Sequence, residues 1–210
     1  IEKETLIVFV SDHGSFRHGK TTLHDYGMRV PMLLQWTGRI KPGTQYDGLL
    51  GNIDFPPTIL DLCGIETPVD YPMDGTSFKS VLFGDRKPVR EVLLGELGHS
   101  RCVKTRDWKY IAVRYPEDLQ RKIDRGETFK GFDGKDLPLP YLTRNGHLGH
   151  HASKVNPHYF EADQLYNLVE DPAEDDNVFA QRPDVARRMR DELSRALRRF
   201  PDRPFGEFTN

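Results

Sequence analysis

Cysteine is scarce in this chain of 210 residues: Cys63 and Cys102 are its only two. A pair so far apart builds no disulfide framework, and spacing leaves open whether the two join. No apolar run approaches the ~20 residues needed to cross a bilayer. Neither sign of charge dominates: 30 basic against 32 acidic residues leave a formal net charge of −2, which argues against a general binder of nucleic acid or membrane surfaces. No internal repeat is evident. No targeting segment is visible either, but the chain opens at Ile1 just before a strand, so that absence says nothing about secretion. What remains is an ordinary globular composition, 37% hydrophobic and 30% charged, long enough for a core.

The informative stretch is Thr5–Pro31. Leu6, Ile7, Val8, Phe9 and Val10 form an apolar run without alternation, which suits a strand covered on both faces in a parallel sheet. It ends in Ser11-Asp12-His13-Gly14, an acid, an imidazole and a flexible glycine at the carboxyl edge of that strand, where open α/β sheets bind ligands. Asp12 offers carboxylate oxygens to a divalent cation, His13 a ring nitrogen, and Gly14 a sharp turn. Lys20 can reach back as a point charge towards an anion held by that metal. Read singly, Asp-His-Gly is common turn chemistry and Lys20 a solvated lysine. The order strand, DHG, HGK, then Arg29-Val30-Pro31 before Met32-Leu33-Leu34 is what points to a site.

That order resembles the sulfatase family of the alkaline phosphatase superfamily, where S-D-[HN]-G follows a strand and G-K and R-V-P-[LM] come next. Trp36 and Gly38–Gly43 look like its W-x-G-x-I-x-P-G turn. Asn52-Ile53-Asp54-Phe55-Pro56-Pro57-Thr58-Ile59-Leu60 looks like its N-x-D-[IL]-x-P-T-[IL]-L helix start, and Asp74-Gly75-Thr76-Ser77 like its D-G-x-S turn. Gln164–Leu168, with Asp171-Pro172, Glu174 and Asn177, is close to its E-L-Y-D-L-x-x-D-P-x-E-x-x-N-L signature.

The resemblance implies that Asp12 and His13 are ligands of calcium, with magnesium as the alternative, and that Lys20 contacts sulfate oxygens and neutralises charge on the leaving oxygen. His13 stands where many members have asparagine, and its imidazole is a poorer partner than oxygen for a hard cation, which leaves the metal's identity open. Family members attack sulfur with formylglycine made in C-x-P-x-R or S-x-P-x-R. Neither Cys63 nor Cys102 lies in such a motif, and the paired aspartates and upstream block of the family are absent. The chain is therefore expected to be the carboxyl-terminal half of a sulfatase, its partner the missing amino-terminal half. The expected function is hydrolysis of sulfate monoesters of a carbohydrate or small organic alcohol. The alternatives are a phosphonate or phosphate ester hydrolase of the same superfamily, or a non-catalytic fragment that binds sulfated glycans. Periplasmic, secreted or lysosomal locations follow from the same resemblance.

The expected fold is α/β: residues 1–95 form part of a mostly parallel sheet flanked by helices, alkaline-phosphatase-like, and residues 96–210 a small α+β subdomain with an antiparallel sheet and a terminal helix. Pro31–Trp36 reads as a second buried strand. Asp54 reads as the cap of a helix with Pro56 and Pro57 in its first turn and Gly64 at its end. Val92–Leu94 suggests a short strand, Cys102–Thr105 and Lys109–Val113 a hairpin, and Leu165–Leu168 a further strand. Val185, Met189, Leu193, Ala196 and Phe200 recur at helical spacing. Arg187, Arg188, Arg190, Arg195, Arg198 and Arg199 alternate with acids there and read as a solvated face.

His18 and His24 flank Lys20 and are expected near the site mouth, with His18 and His99 as further candidates for substrate contact. His147, His150 and His151 lie in Pro138–Pro157, a stretch rich in Gly, Pro and Asn, and His158 directly follows it. It reads equally as a binding loop over the cleft or as a surface loop with incidental histidines. The organic half of the substrate is not legible in these residues.

Overall fold

The computed structural model describes residues 1–14, 19–67, 69–143, 146–200 and 208, with the backbone alone for residues 146–148 and 150. In chain order the elements are β1 (Ile7–Val10), α1 (Asp25–Met28), β2 (Met32–Gln35), α2 (Phe55–Cys63), α3 (Lys79–Leu82), β3 (Leu93–Leu97), β4 (Ser100–Lys104), β5 (Trp108–Val113), α4 (Glu117–Asp124), β6 (Phe129–Lys130), β7 (Asp136–Leu137), α5 (Gly146–Val155), β8 (Asp163–Asn167) and α6 (Pro183–Leu197). They fall into two units, one of residues 1–10 and 31–93 and one of residues 11–30 and 94–210.

In the first unit β1 pairs with β2, Val8 opposite Leu34 and Phe9 opposite Leu33. The pairing is antiparallel, and no parallel pair of strands is present among the described residues to test the expected mostly parallel sheet. Apolarity states that a strand prefers burial and carries no information about the direction of the strand beside it. Burial alternates along β2: Met32 and Leu34 pack on Phe78, Val81 and Leu82, while Leu33 is exposed. Ile7 and Phe9, on Leu33's face by register, are exposed as well, so among the described residues the ribbon is packed on one face instead of two.

The motifs after the ribbon do structural work. Pro56 and Pro57 open α2, and Gly64 ends it at φ +69°. Asp54 caps the preceding turn instead of α2: its buried carboxylate accepts from the amides of Gly51 (2.7 Å) and Thr76 (2.8 Å) and pairs with Arg90. Gly75 is required there, since a Cβ would stand 1.9 Å from the Ile53 carbonyl. Thr58 accepts from the Phe78 amide at 3.0 Å, locking the D-G-x-S turn onto the helix.

The second unit is built on a four-stranded sheet ordered β3-β4-β5-β8, with Val103 opposite Tyr110 and Tyr110 opposite Leu165 in antiparallel register. α6 packs on β4 and β5 through buried Ala186, Met189, Leu193 and Leu197. Two of the five residues expected in that stripe, Met189 and Leu193, are in it. Residues of the opposite sheet face, Cys102, Ile111 and Tyr166, form a core with Leu23 and Met28. Residues 11–30, expected with the first domain, therefore cluster with the second unit, and the division falls at Leu93/Leu94.

Candidate active-site loop

Three glycines build the loop. A Cβ on Gly14 would lie 1.9 Å from the Tyr26 carbonyl oxygen, one on Gly19 1.8 Å from the same atom, and one on Gly27 2.2 Å from the Gly19 carbonyl oxygen. No side chain fits in these places, so the D-H-G, H-G-K and D-Y-G segments lie backbone against backbone. The Gly14 amide donates to Gly27 (2.9 Å) and the Thr22 amide to Gly19 (3.2 Å).

On this scaffold Asp12, His13 and Lys20 meet. His13 Nδ1 lies 2.8 Å from the Gly14 carbonyl oxygen, which can only accept, so Nδ1 carries the proton. Nε2 then presents a lone pair, and Lys20 Nζ donates to it at 2.9 Å. Asp12 Oδ2 stands 3.5 Å from the same nitrogen, on a carboxylate that is largely exposed. Thr21, directly after Lys20, is held at φ +73°, a region costly for a β-branched residue. Its carbonyl accepts from Tyr159 Oη at 3.0 Å, and its own hydroxyl donates to the Lys20 carbonyl.

The chemistry of these donors fits a divalent cation in part. A neutral imidazole with its Nε2 lone pair available is the ligating form, and Asp12 brings an oxygen to the same point, but Lys20 Nζ takes that lone pair here, so a cation would displace the ammonium. Among the described residues no third His, Cys, Asp or Glu completes such a group. Calcium takes about six to eight oxygens, so these two residues supply a minority of a shell.

The sequence-based readings of the histidines fare differently. His18 lies outside the described residues. His24 is not at a mouth but buried, Nδ1 against Thr22 Oγ1 (2.5 Å) and Nε2 against Tyr166 Oη (3.1 Å). Tyr166 Oη donates to Gln164 Oε1 at 2.9 Å, so it accepts from His24 Nε2–H, and Thr22 donates to Nδ1. Burial first, and then the Lys109 charge, push the His24 pKa down to about 3, keeping the ring neutral. His99 sits at the turn between β3 and β4, its ring 5.2 Å from that of Tyr115 and its amide bonded to Leu142. His147, His150 and His151 lie on helix α5, not in an irregular loop, and His158 is tied to Glu161 (2.6 Å) and the Asp175 carbonyl (3.1 Å).

Sequence reading missed the charges under the loop. Lys109 Nζ, fully buried on β5, contacts Asp25 Oδ1 (2.5 Å), Glu174 Oε1 (2.6 Å) and the Leu23 carbonyl (3.1 Å). Lys104 Nζ reaches Asp25 Oδ2 at 2.5 Å, and Glu174 accepts from the Asp25 amide. Burial works to lower the Lys109 pKa, but Glu174 and Asp25 outweigh it and hold the amine above its ordinary value. A lysine inside β5, directly before the apolar run Tyr110–Val113, was the available signal: buried lysines need carboxylates.

Comparisons with known proteins identify the family. Residues 11–128 match the family described as N-sulphoglucosamine sulphohydrolase, C-terminal. An ulvan-active sulfatase of Formosa agariphila is 31% identical over 191 residues, covering 86% of this chain and 34% of that protein. An N-acetylgalactosamine-6-O-sulfatase of Bacteroides thetaiotaomicron is 26% identical over 178 residues, covering 84% of this chain and 29% of that protein. A solved structure, described as a complex with its substrate D-glucosamine-2-N,6-O-disulfate, superposes with a TM-score of 0.65 at 21% identity, over 95% of this chain and 35% of that one. The fold is that of a sulfatase carboxyl-terminal region. The chain belongs to the sulfatase family, and it spans about a third of the length of these relatives.

Proposed function

We propose that this chain contributes one side of the active site of a sulfuric ester hydrolase acting on a sulfated carbohydrate. The observation that supports the reading is the convergence of Asp12, His13 and Lys20 on one loop. The carbohydrate part rests on the names of the relatives, which act on or bind sulfated sugars. Lys20 Nζ binds a sulfate oxygen and opposes the negative charge that builds on the ester oxygen as the S–O bond breaks. The Gly14 carbonyl holds the proton on His13 Nδ1 and aims Nε2 at the position shared with Asp12. Asp12 and His13 would hold part of a divalent cation, calcium with magnesium as the alternative, which supplies Lewis-acid polarisation of a sulfate oxygen. The nucleophile, formylglycine in the resemblance, is assigned to a part of the intact protein outside these 210 residues.

The test is an assay of the intact protein that carries this sequence, against a panel of sulfated saccharides. Asp12→Ala and Lys20→Ala are each expected to lower kcat/KM by at least about a hundredfold, as for a lost charge contact in a transition state. Near-normal turnover in both variants overturns the assignment. A higher kcat/KM for an aryl phosphonate than for an aryl sulfate moves the protein to the phosphonate hydrolases.

A further inference from the structure

The structure assigns Glu174 a positioning role: its carboxylate fixes the loop that carries Lys20, an inference that rests on the function proposed above. Glu174 belongs to the D-P-x-E turn after β8, 149 residues beyond the α1 amide it binds. It is fully buried, itself in the left-handed region at φ +62°, and does two things at once. One oxygen accepts from the Asp25 amide, the first of α1. The other pairs with Lys109 Nζ, which in turn grips Asp25 and the Leu23 carbonyl.

From there the connection to the site is continuous. α1 places Gly27, whose carbonyl takes the Gly14 amide and whose missing side chain admits the Gly19 carbonyl. Gly14 holds the His13 ring, and Gly19 precedes Lys20. A displaced α1 moves both ends of the His13–Lys20 contact, because no Cβ-sized gap separates these backbones. The turn and the DHG loop thus act as one body, which gives a physical reason for a buried acid in D-P-x-E far from the chemistry. Glu174 touches no reacting atom in this arrangement and works through the loop.

The experiment uses the intact protein with Glu174→Gln, and with Glu174→Gln combined with Lys109→Met so that no buried charge is left alone. Two readouts are taken. Amide exchange at residues 12–14 and 19–28 is expected to rise in both variants while exchange in β4 and β5 stays low. The kcat/KM of Glu174→Gln is expected to fall about tenfold to hundredfold, the usual size of a lost support to a site residue. In a Lys20→Ala background the same substitution is expected to cost less, because one of the two groups through which its effect runs is already gone. Unchanged loop exchange in the folded double variant overturns the inference, as does an equal loss with and without Lys20, which marks a general loss of folded protein. Full activity in Lys20→Ala alone overturns the functional reading instead, and loop exchange then still decides the role of Glu174.

Discussion

Within these 210 residues the β1–β2 ribbon and the four-stranded sheet invert the usual relation between residue type and burial. The ribbon of the first unit is made from the most apolar segments of the chain, yet Phe9 is 60% exposed, Ile7 55% and Leu33 66%. The sheet of the second unit carries Lys109 at 0% exposure, with Arg101 and Gln164 also buried. The difference lies in what covers each. α6 lies on one face of the four-stranded sheet, and the Leu23–Met28 segment forms a core with residues of the other. Among the described residues the ribbon has a packed layer only on the side of Phe78, Val81 and Leu82. Hydrophobicity states the preference of a segment, and a charged residue can be buried wherever opposite charge is supplied.

The largest expected break in this comparison is at Lys109. Lys109→Met leaves Glu174 buried without its cation and is expected to cost about 3–5 kcal/mol, the usual penalty for removing one member of a buried pair. Chemical denaturation read through Trp108 on β5, with Trp36 replaced by Phe, reports on the second unit. A loss below about 1 kcal/mol there, the range of exposed ion pairs, ends the claim that this charge is compensated by burial-dependent partners. Ile111→Ala comes next, at about 2–5 kcal/mol by the same probe, since Ile111 is buried among Leu23, Cys102 and Tyr166.

Much of the fold was legible, for identifiable reasons. Strand positions, the Pro56–Gly64 helix and the terminal helix follow from local patterns in which neighbouring residues settle the outcome. Gly64 at φ +69° and the two prolines are local signals of that kind. The candidate loop was legible because Asp12, His13 and Lys20 lie within nine residues and Gly14 and Gly19 sit between them. Strand direction was not, because β1 reads the same beside a parallel or an antiparallel partner. Nor was the support of the loop, since Asp25, Lys109 and Glu174 are far apart in sequence and each alone reads as a solvated charge. His24 was misplaced for a related reason: a histidine beside a site lysine suggests chemistry, and only Thr22 and Tyr166 on either side of the ring reveal a buried neutral group.

His24 also sharpens the comparison through pH. Its folded pKa of about 3 lies below the ordinary 6.5, so between these values the unfolded chain binds a proton that the folded one does not. Stability therefore falls as pH drops from about 6.5 towards 3, by about 1.4 kcal/mol per unit for this one group. Asp25, held low by Lys109 and Lys104 despite its burial, adds a further loss once pH enters the carboxylate range. A His24→Gln variant is expected to be less stable at neutral pH and to show a shallower slope between pH 6.5 and about 4. An unchanged slope means that other groups govern the acid limb.

The smallest expected effect is the one that tests the inversion most directly. Phe9→Ser removes a large aromatic group from the middle of an apolar strand, a change that would cost about 3 kcal/mol or more in a closed core. Phe9 instead faces outward beside Leu33, and its removal forfeits little buried area. The change is expected to stay within about 0.5 kcal/mol, as for surface substitutions. Val10 and Met32, on the opposite face by register, provide the control. Met32 packs on the Phe78 cluster, and Met32→Ser is expected to be markedly more costly than Phe9→Ser. Both are read through Trp36, whose indole donates to the Lys3 carbonyl within the same unit. Equal losses at positions 9 and 32 would mean that this chain covers both faces of the ribbon, and the contrast between the sheets would then reduce to the buried lysine alone.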